Sequence, residues 1–296
     1  MATVQDFSND IRPTWCPGCG DFGIWNALKR AFVQAGLDPQ QVMMVTGIGC
    51  GSKTPDYMHI NGLNGLHGRT LPLATGFKLA NHGLKVVCVH GDGDGYGMGG
   101  NHFIHAARRN IGLVDVVQNN HVYALTKGQY SPTSRRGWVT PTSPEGAIEH
   151  PENPLVLAIS QGATFVARGF ALDIPYLVNL IVEALGHRGY ALVDVMQPCV
   201  SFNRPMLYDW YRERVYKVDE IPGYDPTDKV KALETAFEFP TTEPYGQRIP
   251  IGIIYRTESV PSYEEQVPTL KVGSLVSQPF RPRPIEAYQQ LIEEMI

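Results

Sequence analysis

Short, mainly apolar runs alternate with helical patterns along the first two thirds of this chain. Such a run predicts a strand buried on both faces, which is typical of a parallel sheet covered by helices. The predicted strands are 42–45, 86–89, 113–117, 164–167 and 191–196. The predicted helices are 22–35, 71–81, 101–109 and 175–187, the first with Asp21 as its cap and Gly36 as its stop. The pattern predicts an α/β fold with a doubly wound, mostly parallel sheet.

The pattern changes at about residue 204. Proline and charged residues become more frequent, with one short strand predicted at 251–255 and a terminal helix after Pro284. We therefore expect one ligand-binding domain over residues 1–203. Residues 204–296 are expected to form a C-terminal extension that packs on this domain or on a partner.

Composition narrows the class of protein. The chain has 296 residues, 43% of them apolar, and a net charge of −4, which gives no reason to expect nucleic-acid binding. No apolar run is long enough to cross a membrane, and the first thirty or so residues do not resemble a signal peptide. The five cysteines are an odd number, so reduced thiols are expected rather than a disulfide framework. These features predict a cytoplasmic protein.

Four segments with unusual residues each follow a predicted strand directly. They are 47–53, 91–94, 119–120 and 197–199. In a doubly wound sheet, ligands bind at the carboxyl ends of the strands. We therefore expect the four segments to lie along one edge of the sheet and to share a site.

The segment Gly91-Asp92-Gly93-Asp94 contains a loose glycine pattern that would be weak support for a dinucleotide site. The two aspartates disfavour that interpretation, because carboxylates repel phosphates unless a cation lies between them. Mg²⁺ bound by protein oxygens and phosphate oxygens would resolve the conflict, with Asn120 as a second ligand. The alternative is a glycine-rich turn with solvated acids.

Four cysteines, Cys16, Cys19, Cys50 and Cys199, are candidate metal ligands. They are too widely spaced for the compact ferredoxin pattern, and on the cysteines alone a zinc site and a [4Fe–4S] cluster are both open. A thioredoxin-like dithiol at Cys16 and Cys19 is disfavoured, because the preceding residues are too polar for a buried strand. The fifth cysteine, Cys88, lies in an apolar run and is expected in the core.

The glycine–aspartate loop followed by Asn119-Asn120 resembles the thiamine diphosphate motif. In that family the aspartate, the last asparagine and a backbone carbonyl two residues later bind Mg²⁺. The resemblance implies Asp92, Asn120 and the carbonyl of Val122 as the ligands here.

Five segments in order extend the resemblance to a single family. Residues 12–203 resemble the beta subunit of 2-oxoacid:ferredoxin oxidoreductases, particularly the 2-oxoglutarate type. The segments that carry the resemblance are 16–20, 47–50, 66–69, 91–94 and 125–129. The resemblance implies a [4Fe–4S] cluster on the four cysteines, because oxidative decarboxylation needs an electron acceptor.

The resemblance also implies roles for individual residues. His67 would contact the diphosphate, and Lys53 and Lys127 would bind the acidic substrate or shape its pocket; these three are the expected catalytic residues. The expected cofactor-binding residues are Ile48, Gly49, Cys50, Gly51, His67, Gly91, Asp92, Gly93, Asp94, Asn120, Val122, Ala124 and Leu125.

The implied reaction converts a 2-oxoacid, with 2-oxoglutarate expected, and coenzyme A to an acyl-CoA and CO₂, with electrons passing to ferredoxin; the reverse carboxylation is also allowed. The catalytic glutamate would come from the pyrimidine-binding domain of an alpha subunit, in a dimer of αβ pairs. Open alternatives are a pyruvate or indolepyruvate enzyme and a non-redox thiamine enzyme half with structural zinc. A further alternative is an electron-transfer or zinc-stabilised binding module.

Overall fold

The computed structural model describes residues 2–239, 247–279, 282 and 284–296. Ten strands lie within these residues: β1 Val42–Thr46, β2 Asn61–Asn64, β3 Lys85–Gly91, β4 Val114–Asn119, β5 Val122–Tyr123, β6 Gln129–Tyr130, β7 Phe165–Phe170, β8 Ala191–Met196, β9 Val215–Lys217 and β10 Ile249–Arg256. The α-helices are α1 Asp21–Gln34, α2 Thr70–Ala80, α3 Gly100–Arg109, α4 Pro154–Gln161, α5 Ile174–Gly186, α6 Tyr208–Arg212, α7 Lys229–Ala236, α8 Tyr263–Gln266 and α9 Ile285–Glu293.

One sheet forms the centre of the molecule, with strand order β2-β1-β3-β4-β8-β7-β10-β9. All neighbouring strands in it are parallel except β7 and β10, which are antiparallel. The predicted α/β fold with a mostly parallel sheet is confirmed. The small hairpin of β5 and β6 stands apart from this sheet.

Two apolar layers cover the sheet. Alternate residues of one strand enter different layers, as Val87 and Cys88 of β3 do. Helices α1 and α5 pack together on one face, and α2, α3, α4 and α7 contribute to the other. Cys88 is fully buried, so its assignment to the core is confirmed.

Several local expectations were wrong or incomplete. Helix α1 begins at Asp21 itself, and the cap position is Gly20, so the carboxylate of Asp21 is not the predicted cap. The edge strand β2 was missed because its sequence, Asn-Gly-Leu-Asn, has no apolar run. Beyond residue 204 the extension supplies two strands to the main sheet, β9 and β10, where one strand was predicted.

The sheet order places the four unusual segments side by side. They follow β1, β3, β4 and β8, which are consecutive neighbours in the sheet and parallel to one another. Parallel strands bring their carboxyl ends to the same edge. Over the part of the chain that the structure describes, no helix is both long enough and apolar enough to span a bilayer.

Candidate active site

A cavity of about 80 Å³ lies at this edge and is called here the glycine–aspartate cavity. All of the residues expected to bind the cofactor line it, together with three that were not among those expected, Gln118, Tyr123 and Thr126. The lining comes from the loops after β1, β3 and β4, from His67 before α2 and from the β5–β6 hairpin. Four stretches distant in sequence, at residues 48–51, 67, 91–94 and 118–126, therefore contribute to a single cavity.

Asp92 begins the loop after β3 and is almost completely buried, at 1% exposure. Its Oδ2 accepts hydrogen bonds from the Ser131 hydroxyl, at 2.5 Å, and the Thr133 hydroxyl, at 2.7 Å. Burial nevertheless raises the pKa of Asp92 to about 6. A divalent cation would favour the ionised carboxylate by supplying the missing positive charge, so the residue fits a Mg²⁺ ligand.

Asp94 also lines the cavity, but both of its oxygens are engaged by the protein. Oδ1 accepts from the backbone N–H groups of Ile48, at 3.0 Å, and Gly68, at 2.8 Å, and lies 2.5 Å from His67 Nδ1. Oδ2 accepts from the Thr70 hydroxyl and lies 3.3 Å from His90 Nδ1. Burial alone would raise the pKa of Asp94, but these donors, His90 first among them, hold it below its usual range. Asp94 therefore ties together the loops that form the cavity.

His90 continues this network into the core. Its Nε2 lies 2.6 Å from Asp115 Oδ1, and the Tyr190 hydroxyl donates to Asp115 Oδ2 at 2.5 Å. Burial alone would lower the pKa of His90, but Asp115 and Asp94 raise it to about 10. The imidazolium of His90 thus lies between two buried carboxylates. Its contact with Asp94, on the core side of the cavity, helps to hold the Asp94 side chain in place.

Three glycines are required by the close approach of their neighbours. A Cβ at Gly47 would lie 2.0 Å from Asp94 Oδ2, and one at Gly93 would lie 2.2 Å from the Tyr123 ring. A Cβ at Gly51 would lie 1.6 Å from Gln118 Oε1. The glycines allow the loops to pack directly on the polar side chains of the cavity.

Asn120 follows β4 and takes part in a local turn. Its Oδ1 accepts from the Val122 N–H at 3.1 Å, and its Nδ2 donates to Gln197 Oε1 at 2.8 Å. Asn120 and Val122 line the same cavity as Asp92. The structure thus brings together the three residues expected to bind Mg²⁺.

Gln118 is a cavity residue that sequence reasoning missed. It is 1% exposed, and neither its Oε1 nor its Nε2 has a hydrogen-bond partner in the described structure. A buried amide without partners is costly, so both groups of Gln118 are available to a polar ligand of the cavity. Gln118 lies two residues before Asn120, and residues two apart in a strand point to the same side. This spacing is the sequence feature that could have identified Gln118 as a cavity residue.

A second cavity, of about 250 Å³, is called here the cysteine cavity. All four candidate ligands line it: Cys16, Cys19, Cys50 and Cys199. Cys50, Asn120, Ala124 and Leu125 line both cavities, so the two adjoin. The side chains expected to bind an acidic substrate, Lys53 and Lys127, lie in this second cavity, whereas His67 lies in the first.

The four candidate ligands differ in exposure: Cys16 is exposed, Cys19 and Cys50 are half-buried, and Cys199 is buried. Burial raises the pKa of Cys50 to about 12 and raises the pKa values of Cys19 and Cys199. Iron would stabilise the thiolates by adding positive charge. Two donors already point at sulfur: Ser201 Oγ lies 3.1 Å from Cys16 Sγ, and Gln197 Nε2 lies 3.3 Å from Cys19 Sγ.

The four cysteines match the ligand number of both a zinc ion and a [4Fe–4S] cluster. Among the described residues, no three histidine, cysteine or carboxylate side chains are grouped closely enough to hold one metal ion. A tetrahedral zinc site with Zn–S bonds of about 2.3 Å needs sulfurs only about 3.8 Å apart. In a [4Fe–4S] cluster each cysteine binds a different iron, so the sulfurs stand farther apart.

Comparison with protein families gives two matches. A model described as the C-terminal TPP binding domain of thiamine pyrophosphate enzymes matches residues 41–195. A model described as the C-terminal part of the pyruvate ferredoxin oxidoreductase beta subunit matches residues 199–272. Together they cover both the parallel sheet and most of the extension.

Individual proteins similar to this chain belong to the same class of enzyme subunit as the family models. A 2-oxoacid:ferredoxin oxidoreductase subunit beta from a Sulfolobus species is 46% identical over 264 residues, which cover 86% of this chain and 85% of that protein. The 2-oxoglutarate oxidoreductase subunit KorB of Mycobacterium tuberculosis is 45% identical over 199 residues, which cover 67% of this chain and 53% of that protein.

A solved structure is similar over almost the whole chain. It is a 2-oxoglutarate:ferredoxin oxidoreductase from Magnetococcus marinus with 2-oxoglutarate, coenzyme A and succinyl-CoA bound. The TM-score is 0.87 at 35% identity, with 98% of this chain and 96% of that chain covered. By fold, by the family models and by these relatives, the chain belongs to the beta subunits of the 2-oxoacid:ferredoxin oxidoreductases and is an oxidoreductase subunit with a thiamine pyrophosphate-binding fold.

Proposed function

We propose that this chain is the beta subunit of a 2-oxoglutarate:ferredoxin oxidoreductase. The enzyme converts 2-oxoglutarate and coenzyme A to succinyl-CoA and CO₂, and two electrons pass to ferredoxin. The observation that carries the proposal is the adjoining pair of cavities, one with the thiamine motif and one with four cysteines. The substrate is inferred from the KorB relatives and from the ligands bound in the similar structure.

The glycine–aspartate cavity would hold the diphosphate of thiamine diphosphate together with Mg²⁺. The proposed ion ligands are Asp92, Asn120 and the carbonyl of Val122. When bound there, thiamine diphosphate would supply a nucleophilic carbon for attack on the keto group and a thiazolium ring as the electron sink for decarboxylation. The protein contributes orientation: Ser131 and Thr133 hold Asp92, and Asp94 holds His67 and the loop of Ile48.

The cysteine cavity would hold a [4Fe–4S] cluster on its four cysteines, as the acceptor of those electrons. Lys53 and Lys127 also line this cavity, next to the residues shared with the first one. Their ammonium groups are the proposed partners of the substrate carboxylates, since 2-oxoglutarate carries two of them.

A partner subunit is part of the proposal. The glycine–aspartate cavity has about 80 Å³, whereas sites for molecules of the size of a cofactor typically have about 300–1,000 Å³. This chain would therefore enclose only part of thiamine diphosphate, and an alpha subunit would enclose the pyrimidine and supply the catalytic glutamate, in a dimer of αβ pairs. A cytoplasmic location belongs to the same proposal, because the four thiols must remain reduced.

The test is an anaerobic purification of the complex of this chain with its partner subunit. Iron, zinc and acid-labile sulfide are measured, and the visible spectrum is recorded before and after dithionite. We expect about four irons and four sulfides for the cluster in this chain, beyond any that the partner contributes, with bleaching on reduction. Stoichiometric zinc without bleaching would overturn the redox function and favour the non-redox thiamine enzyme.

Ferredoxin reduction is then measured with 2-oxoglutarate and with pyruvate, each with coenzyme A. The expected result is a higher kcat/KM for 2-oxoglutarate. A higher value for pyruvate would overturn the substrate assignment and leave the family assignment intact.

A further inference from the structure

Gln197 lines the cysteine cavity and is hydrogen-bonded to one residue of each proposed site. It follows β8 directly and is 2% exposed. Its Oε1 accepts from Asn120 Nδ2 at 2.8 Å, and its Nε2 donates to Cys19 Sγ at 3.3 Å. A single carboxamide therefore connects a proposed Mg²⁺ ligand to a proposed cluster ligand.

The position of this side chain is tightly fixed. A Cβ at Gly20 would lie 2.8 Å from Gln197 Cγ, so only glycine leaves room for the glutamine beside the first cysteine loop. The backbone on either side is anchored as well: the Gly20 N–H donates to the Pro198 carbonyl at 3.2 Å, and the Gln197 N–H donates to the Asn119 carbonyl at 2.9 Å. The Gln197 side chain is thus packed against the first cysteine loop, with both partners within hydrogen-bond distance of its amide.

We propose that Gln197 is a positioning residue that couples the two sites, so that Mg²⁺–thiamine diphosphate in one cavity raises the reduction potential of the [4Fe–4S] cluster in the other. The inference rests on the proposed function: it describes how cofactor binding at one site of that enzyme would regulate the cluster at the other.

The direction follows from the polarity of the hydrogen bonds. A cation on Asn120 Oδ1 withdraws electron density from that amide, which makes its Nδ2 a stronger donor to Gln197. The same polarisation passes through the Gln197 amide and strengthens the bond from its Nε2 to the Cys19 sulfur. A stronger donor to a cluster sulfur favours the reduced, more electron-rich cluster, and this raises the potential.

The coupling must act in both directions. If cofactor binding favours cluster reduction, then cluster reduction tightens cofactor binding by the same factor. Cooperative strengthening of the hydrogen bonds that Gln197 makes would give roughly a threefold difference in affinity. For a one-electron centre, a threefold difference in affinity corresponds to a shift of about 28 mV in the reduction potential, because a tenfold difference corresponds to 59 mV.

The experiment uses the complex of this chain with its partner subunit, freed of thiamine diphosphate and kept anaerobic. The cluster potential is measured by dye-mediated titration followed by EPR, with and without Mg²⁺–thiamine diphosphate. Cofactor affinity is measured by calorimetry in the oxidised and reduced states. The variants are Gln197→Met, which removes both hydrogen bonds at similar size, and Gln197→Glu, which keeps the acceptor toward Asn120 and removes the donor to Cys19.

Ser201→Ala is the matched control, because the Ser201 hydroxyl donates to a different cluster cysteine, at the sulfur of Cys16. Its removal should lower the cluster potential equally with and without cofactor and leave the cofactor-dependent shift at its wild-type size. In contrast, both Gln197 variants should lose about 28 mV of that shift, and with it the threefold difference in affinity between redox states.

A cofactor-dependent shift of wild-type size in the Gln197 variants would overturn the coupling, and so would an equal reduction of the shift by Ser201→Ala. A wild-type complex that lacks the cluster or does not bind thiamine diphosphate would instead overturn the proposed function. The two failures are therefore distinguishable.

Discussion

Replacing Asp94 by asparagine tests whether this carboxylate holds the cavity loops together. The substitution keeps the shape of the side chain and removes the charge that faces His90. The asparagine retains one acceptor oxygen, but its amide nitrogen cannot accept the hydrogen bonds that one carboxylate oxygen accepts in the wild-type protein. The donors to Asp94 include the N–H groups of Ile48 and Gly68. Because His90 is buried between Asp94 and Asp115, the loss leaves a buried imidazolium with one carboxylate partner.

The magnitude follows from the burial of the pair. Removing one partner of a buried ion pair costs about 3–5 kcal/mol in the free energy of unfolding. Unfolding entropies near 2.1 cal/mol/K per residue give about 0.6 kcal/mol/K for 296 residues. The expected fall in melting temperature is therefore about 5–8 °C.

The assay is differential scanning calorimetry of the thiamine-free complex at neutral pH. Asp209→Asn serves as the control, since the side chain of Asp209 is 87% exposed and its salt bridge to Arg212 lies on the surface. This control should lower the melting temperature by less than about 1 °C. If Asp94→Asn melts within 1 °C of the wild-type protein, the reasoning about the Asp94–His90 pair is wrong.

Four further substitutions give distinct outcomes. Asp92→Ala should abolish Mg²⁺-dependent binding of thiamine diphosphate, seen by calorimetry, while iron and sulfide contents stay unchanged. Cys199→Ala should show the reverse, with loss of the cluster spectrum and of ferredoxin reduction but with cofactor binding retained. Gln118→Met should weaken cofactor binding about tenfold or more yet raise the melting temperature of the cofactor-free protein, because it removes an unpartnered buried amide; a fall in both would contradict a ligand-binding role. Burial, and to a lesser extent the charge of Asp92, raises the pKa of Glu152 to about 7, so the stability linked to its protonated form is complete below about pH 4.5 and is lost as the pH rises through 7. In denaturant titrations, Glu152→Gln should have the wild-type free energy of unfolding at pH 4.5 and a value about 1–3 kcal/mol higher than the wild type at pH 8.

The sequence was sufficient for the elements whose pattern reflects burial. Strands such as β3 and β8 are apolar because helices cover both faces, and that pattern is visible in one dimension. The edge strand β2 is mostly exposed and polar, so its pairing with β1 depends on the sheet and not on its own residues. The order β1-β3-β4-β8, which gathers the motif loops, arises from crossovers that a single sequence does not reveal.

The site divides in a similar way. Residues with metal-binding chemistry, such as Asp92 and Cys199, could be selected by type and position. Asp94 has the same chemistry, but its partners are backbone N–H groups of two distant loops, so its engagement by the protein became visible only in the structure. Gln118 and Gln197 are ordinary glutamines in the sequence, and their interest lies entirely in what surrounds them.

The antiparallel contact of β10 with β7 has a consequence for shortening the chain. Residues 1–203 carry all of the proposed ligands, so a fragment with this boundary would be a natural choice for expression. Removing β10 would expose the backbone N–H and C=O groups along one side of β7, and an uncovered strand edge of this kind invites pairing between molecules. It would also uncover Arg168, which is fully buried and donates to the Glu238 carbonyl of the extension. The fragment should therefore aggregate. In the full chain, the extension prevents this by covering the edge of the sheet at β7.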